Sequence, residues 1–99
     1  MSVAYIFEIR GFTQEKYDKV IEALNLNLGG KAPAGQILHV AGPMEGGFRV
    51  IDVWESEEAK NRFFNEHLNS AFKEVGLELP RYKITFKVHN IMKSLTPVT

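Results

Sequence analysis

The chain has 99 residues, with 12 Lys and Arg against 12 Asp and Glu and a formal net charge of zero. No basic stripe for neutralising phosphates is present, which argues against nucleic acid as a partner. The lack of cysteine excludes disulfides, thiolate nucleophiles, iron–sulfur clusters and cysteine-ligated zinc together.

The length predicts one domain, residues 1–99, with a thin core that oligomerisation would help. Apolar residues are 44% of the sequence and aromatics 11%, with seven Phe, three Tyr and one Trp, so aromatic surface has to be placed somewhere. The N-terminal residues lack the charged and apolar regions of a signal peptide, and no apolar run reaches membrane-spanning length. The expectation is a cytoplasmic protein with no membrane partner.

Residues 3–10 are β-branched and aromatic with both faces largely apolar, and predict a central strand. Thr13 is a good N-cap for a helix opening at Gln14-Glu15. Tyr17, Val20, Ile21, Leu24 and Leu28 share one face of that helix, and Gly29-Gly30 is its expected stop. Residues 36–41 predict a second strand and 48–55 a third, joined as a hairpin by turn residues Gly42 to Gly47. Ser56 caps a long second helix ended by Gly76. Its core stripe is Phe64, Leu68, Ala71 and Val75, with Phe72 on one border and His67 and Phe63 on the other. Residues 81–89 alternate strictly as a fourth strand, and the tail beyond Asn90 stays apolar at Ile91, Met92, Leu95 and Val98.

The order strand–helix–strand–strand–helix–strand, with right-handed crossovers, predicts an α+β fold of the ferredoxin-like βαββαβ type. It has an antiparallel four-stranded sheet with both helices on one face. Two helices cover only that face, while the first and third strands are apolar on both sides. A second copy of the chain is the expected cover for the other face, giving a homodimer.

Three segments carry a family resemblance. They are His39-Val40-Ala41-Gly42-Pro43, the return Gly46-Gly47-Phe48-Arg49-Val50, and the junction Trp54-Glu55-Ser56. With the element order they resemble the dimeric α+β barrel superfamily, and within it the antibiotic-biosynthesis-monooxygenase-like domains, over essentially the whole chain. The resemblance implies a dimeric barrel of two facing sheets and a pocket in each subunit near sheet and helices. It includes cofactor-free oxygenases of electron-rich aromatics and haem-degrading enzymes, so the fold alone settles little about the reaction. The haem-degrading branch places Asn on the first strand and Trp and His on the second long helix. Here the first strand has no Asn, the Trp position falls on Phe63, and the His position falls on Lys73 or Gly76. Haem breakdown by that route is not expected.

Several residues can carry chemistry. His39 is either a half-buried, hydrogen-bonded strand residue or a pocket base, since histidine exchanges protons near neutrality. Asp52, in an apolar strand, needs a partner: an arginine such as Arg49 or Arg10, or His39 across the hairpin. A four-residue loop puts Asp52 on the same face as His39, offset by about one pair, and a loop one residue longer puts it on the opposite face. Trp54 is either a lid on the core or a stacking surface for a planar ligand. Phe63 and His67 either meet a partner subunit or line the pocket mouth. Tyr5 and Phe7 share a face of the first strand and fill core or barrel. Glu8 and Arg10, on the other face, form an edge pair with solvent, and His89 belongs to the dimer contact or the surface. The three histidines have no spacing suited to a metal, so no metal site is expected.

Two functions compete. The first is a cofactor-independent oxygenase-like enzyme acting on a small aromatic molecule. His39 and Asp52 would be catalytic, and Tyr5, Phe7, Trp54, Phe63 and His67 substrate-binding. The second is a non-catalytic ligand-binding or interaction module of the same fold. The geometric discriminator is whether His39 and Asp52 share a face and whether His39 is open to a pocket.

Overall fold

The computed structural model describes residues 1–78 and 83–92. The chain forms β1 (Val3–Arg10), α1 (Gln14–Ala23), β2 (Gln36–Met44), β3 (Gly47–Trp54), a second helix in three stretches, and β4 (Lys83–Lys87). The strands make one antiparallel sheet in the order β2-β3-β1-β4. The apolar strands β1 and β3 are therefore central, and the architecture is the α+β ferredoxin-like one expected. Arg81 and Tyr82 of the expected fourth strand, and Leu95 and Val98 of the tail, lie outside the described residues.

Helix α1 starts as the sequence predicts, with the Thr13 side chain accepting from the Lys16 N–H at 3.2 Å. It stops one turn earlier than predicted. Asn25 takes a left-handed conformation at φ 58°, which asparagine tolerates better than most residues. The Asn25 N–H then donates to the Glu22 carbonyl at 2.9 Å and the Leu26 N–H to the Ile21 carbonyl at 3.0 Å. This doubly bonded C-terminal motif satisfies carbonyls that would otherwise be orphaned. Leu28, expected on the helix's core face, is exposed, and residues 26–35 are released as a loop.

The hairpin is tighter than its glycines suggest. β2 runs on to Met44, leaving only Glu45 and Gly46 in the turn, with Gly46 at φ 78°. Gly47 then enters the sheet where a Cβ would lie 2.4 Å from the Ile9 carbonyl oxygen, so no side chain fits there. The pairing Met44↔Gly47 propagates to His39↔Asp52 as direct partners.

The second helix is α2 (Glu57–Phe63), a π segment (Phe64–Leu68) and α3 (Asn69–Glu74) in continuous succession. Ser56 caps it, its hydroxyl accepting from the Ala59 N–H at 3.1 Å. Within the π segment the Asn69 N–H donates to the Phe64 carbonyl, five residues back. The extra residue in that turn rotates the rest of the helix. Phe72, expected at the border of the stripe, is buried beside Ala71, and Phe63 and Phe64 both turn toward the protein.

All helices cover one face. The core divides into a Phe12, Val20, Phe48, Ala71 and Phe72 cluster and a Tyr5, Phe7, Val50 and Trp54 cluster, bridged by Ile9 and Ala41. Strand pairing sets two apolar rows on the opposite face. Val40, Ile51, Ile6 and Ile84 form one, and Leu38, Val53, Ala4 and Phe86 the other. Five of these residues are 36–53% exposed. Glu8 pairs on this face with Arg49 at 3.4 Å, rather than with Arg10. His89 is exposed beyond β4, as are Ile91 and Met92. No helix among the described residues is long and apolar enough to cross a membrane.

Candidate functional site

The helix-covered face carries one polar row, crossing the strands as His39, Asp52, Tyr5 and Thr85. Asp52 is the centre of the site, its side chain only 8% exposed. A carboxylate so placed requires a partner that offsets its lost hydration. That partner is His39, whose Nδ1 lies 2.5 Å from Asp52 Oδ1. Against an ionised Asp52, Nδ1 must carry a hydrogen and donate it, and in the neutral imidazole Nε2 then presents a lone pair. From α1, Tyr17 fills that lone pair with its hydroxyl, Oη lying 2.5 Å from Nε2. The two rings stack at 5.9 Å with 10° between their planes, and Phe48 flanks Tyr17 at 5.2 Å. Burial above all, with the nearby charges of Asp52 and Asp18, pushes the Tyr17 hydroxyl up to about 12. It therefore stays protonated, a donor, across the physiological range.

Tyr17, His39 and Asp52 stand on the wall of a cavity of about 650 Å³. Its other walls are apolar, with aliphatic residues such as Ile9, Val20 and Leu68 interleaved with Phe7, Phe12, Phe63, Phe64 and Phe72, and the Leu26–Pro33 segment freed by the early end of α1 also borders it. The volume is that of a small-molecule site, and the composition, mostly apolar with a few convergent polar groups, is what such sites use for affinity and orientation.

The structure brings together four of the residues singled out in the sequence: His39, Asp52, Phe7 and Phe63 all line this cavity. Tyr5 and Trp54 stand behind it. Tyr5 is buried and stacks on Phe7 at 6.1 Å, and Trp54, 0% exposed, backs Phe63 at 5.4 Å. The Trp54 Nε1–H has no hydrogen-bond partner among the described residues. His67 is exposed, lies 5.8 Å from the Phe63 ring, and opens on an adjoining depression of about 530 Å³. Leu24, Leu26, Pro33 and Phe63 are shared by the two hollows.

Two further residues, Tyr17 in the site and Lys60 behind it, do not stand out in the sequence. Tyr17 reads there as part of the apolar face of α1. Its one signal is a hydroxyl in a stripe otherwise made of Val20, Ile21 and Leu24. Lys60 is buried with its Nζ 4.7 Å from the Tyr5 ring centre and 4.8 Å from that of Phe64. Burial and the neighbouring Lys83 push its ammonium below the usual lysine range. Its signal is a lysine one turn before Phe64 on the same helical face.

Comparison with solved structures gives the fold its relatives. A Chloroflexus aurantiacus J-10-fl protein assigned to the antibiotic biosynthesis monooxygenases superposes with a TM-score of 0.66 at 14% identity, covering 94% of this chain and 98% of that one. The fold is that of the antibiotic-biosynthesis-monooxygenase-like domains. SnoaB, a cofactor-independent oxygenase from Streptomyces nogalater in a mutant form, has a TM-score of 0.62 at 11% identity, covering 94% and 98%. A haem-degrading protein from Mycobacterium tuberculosis, in a haem-free form, has a TM-score of 0.57 at 17% identity, covering 94% and 100%. No protein-family profile and no curated protein matches the chain. At these identities the likeness establishes the fold, and chemistry must be argued from the site.

Proposed function

We propose that this chain is a cofactor-independent oxygenase acting on a small aromatic molecule held in the cavity, with His39 and Asp52 as its proton-transfer pair. The observation that carries the reading is the His39–Asp52 pair itself, with both residues on one face, in direct register, on the wall of an apolar cavity that includes five phenylalanines. A merely structural buried ion pair has no need of a cavity. A histidine oriented by a carboxylate, with a hydroxyl on its second nitrogen and a hollow beside the array, is an arrangement that can take a proton from a bound molecule.

The chemistry comes from the substrate class. An electron-rich aromatic with an acidic CH₂ or hydroxyl group loses a proton to the site and becomes an anion. That anion transfers one electron to dioxygen, and the two radicals join as a peroxide on the ring carbon. Protonation of the peroxide, loss of the remaining C–H proton and cleavage of the O–O bond leave a carbonyl and water. In sum CH₂ and O₂ become C=O and H₂O. The protein supplies base, orientation and exclusion of water. In this reading Phe7 and Phe63 contact the ring, Tyr5 and Trp54 hold those walls in place, and His67 serves a substituent reaching the adjoining hollow. The working unit is a homodimer joined through the two apolar rows of the open sheet face, which are long enough to seat a second sheet.

The test is oxygen uptake with a panel of polycyclic phenols. The wild-type chain should consume oxygen above the buffer rate, and His39→Ala should lower the rate about 10²–10⁴-fold with unchanged circular dichroism. A wild-type chain that binds these phenols without consuming oxygen, or a His39→Ala variant as fast as wild type, rejects the proposal.

A further inference from the structure

Both ring nitrogens of His39 are already engaged inside the protein, Nδ1 by Asp52 and Nε2 by Tyr17. A substrate in the cavity therefore meets no free nitrogen on the histidine. Two groups of this array keep spare acceptor positions, the second oxygen of Asp52 and Tyr17 Oη, and of these only Tyr17 Oη sits at the end of the hydrogen-bonded chain beyond His39 Nε2. Its hydrogen points at Nε2, and a phenolic oxygen can accept as well as donate. Tyr17 stands on the wall of the same cavity as the phenylalanines that would hold a planar ring.

We infer that Tyr17 is a catalytic residue, its Oη taking the substrate's proton while its own proton passes to His39 Nε2. The inference rests on the oxygenase reading and adds the atom at which substrate and protein exchange the proton. As the substrate C–H bond breaks, its electron pair stays on the substrate and its proton forms a new O–H bond on Tyr17. The former Tyr17 O–H bond breaks in the same event, and Nε2–H forms. The positive imidazolium that results lies against the Asp52 carboxylate, 2.5 Å away in the resting geometry. No phenolate accumulates at any stage, so a hydroxyl that resists ionisation is no obstacle. When the peroxide forms, the same two protons run back, Tyr17 giving one to the peroxide oxygen and His39 restoring Tyr17.

The alternative is direct abstraction by His39, in which the Tyr17 hydroxyl must first swing away. The two routes predict opposite results for Tyr17→Phe, which keeps the stacked ring and removes only the oxygen. Through the relay, kcat for the phenol substrates falls about 100-fold or more while KM changes little. By direct abstraction, the variant frees Nε2, and kcat is kept or rises. Replacing Tyr17 with 3-fluorotyrosine preserves shape and hydroxyl and guards against a packing artefact. The relay predicts a several-fold shift in kcat, whereas a structural role predicts none. In the wild type, deuterated solvent should slow kcat several-fold, because the Tyr17 hydroxyl proton moves as the substrate C–H bond breaks; equal rates in the two solvents overturn the inference. If the wild type turns over but Tyr17→Phe matches it, this inference alone fails. If the wild type is inert with every phenol, the oxygenase reading fails and the inference with it.

Discussion

The two faces of the sheet are built from the same alternating strands and have opposite characters. On the helix-covered face, β3 presents Phe48, Val50, Asp52 and Trp54, and the residue needing most explanation is the buried carboxylate. On the open face the same strand presents Arg49, Ile51 and Val53, and what needs explanation is exposed aliphatic surface. The covered face has removed its polar group from water and repaired the loss with His39 and Tyr17. The open face has left its apolar groups in water, with one ion pair, Glu8–Arg49, at its margin. The helices thus shelter a polar pair on one face and leave aliphatic groups uncovered on the other. Burial, rather than strand sequence, divides the two faces.

Three experiments press on this contrast, the largest effect first. Trp54 is the covered face's most buried large side chain, so Trp54→Ala should cost about 3–5 kcal/mol of unfolding free energy. Chemical denaturation checks it, and a loss below about 1 kcal/mol would show the covered face to be as loosely packed as the open one. On the open face Ile51→Lys should leave the fold of one subunit within about 0.5 kcal/mol. It should weaken self-association by about 2–3 kcal/mol, roughly 30–150-fold, because each copy would bury an unpaired ammonium. Sedimentation across a concentration series reads both the expected wild-type association and its loss. A variant that associates as tightly as wild type would assign the apolar rows no role in pairing.

The smallest effect concerns Tyr17. Its hydroxyl ionises near pH 10 in the unfolded chain but is pushed up to about 12 in the folded one. The folded state therefore holds a proton the unfolded state has lost. The resulting stability is fully present below about pH 10 and is lost as pH rises through about 12. Stability measured at about pH 9 and again at about pH 11 should fall less steeply in Tyr17→Phe than in wild type. Equal slopes would mean that the hydroxyl is no better shielded than one on the open face.

Much of the fold is legible in the sequence because it depends on patterns that repeat along an element. Apolar residues on both faces of β1 and β3 announce central strands, and Thr13, Ser56 and Gly76 mark helix ends by their conformational preferences. The features that escape depend on single residues without a repeating signal. Asn25 ends α1 in a conformation that Gly29 is expected to supply. The π turn in the second helix adds one residue where a regular wheel allows none, and so buries Phe72. At the site, His39 and Asp52 are visible as residue types in unusual places, yet their pairing depends on a turn length the glycines leave open. Tyr17 is hidden by its ring, which satisfies an apolar stripe as well as a leucine would. Its hydroxyl acquires meaning only when the helix is laid over β2.

The two-residue turn at Glu45-Gly46 gives this site an unusual vulnerability to changes in length. Side chains alternate between faces, so one residue inserted there and absorbed by a shift of register would carry Asp52 from the covered face to the open one. No site residue would be altered, yet the acid would sit in solvent and Ile51 or Val53 would face His39. Gly47 resists such a shift, because a side chain arriving at its position would meet the Ile9 carbonyl. Among homologous chains, loss of the His39–Asp52 pair would therefore be written as an insertion in a surface turn, and a substitution at Gly47 should accompany it as a second mark of the same event.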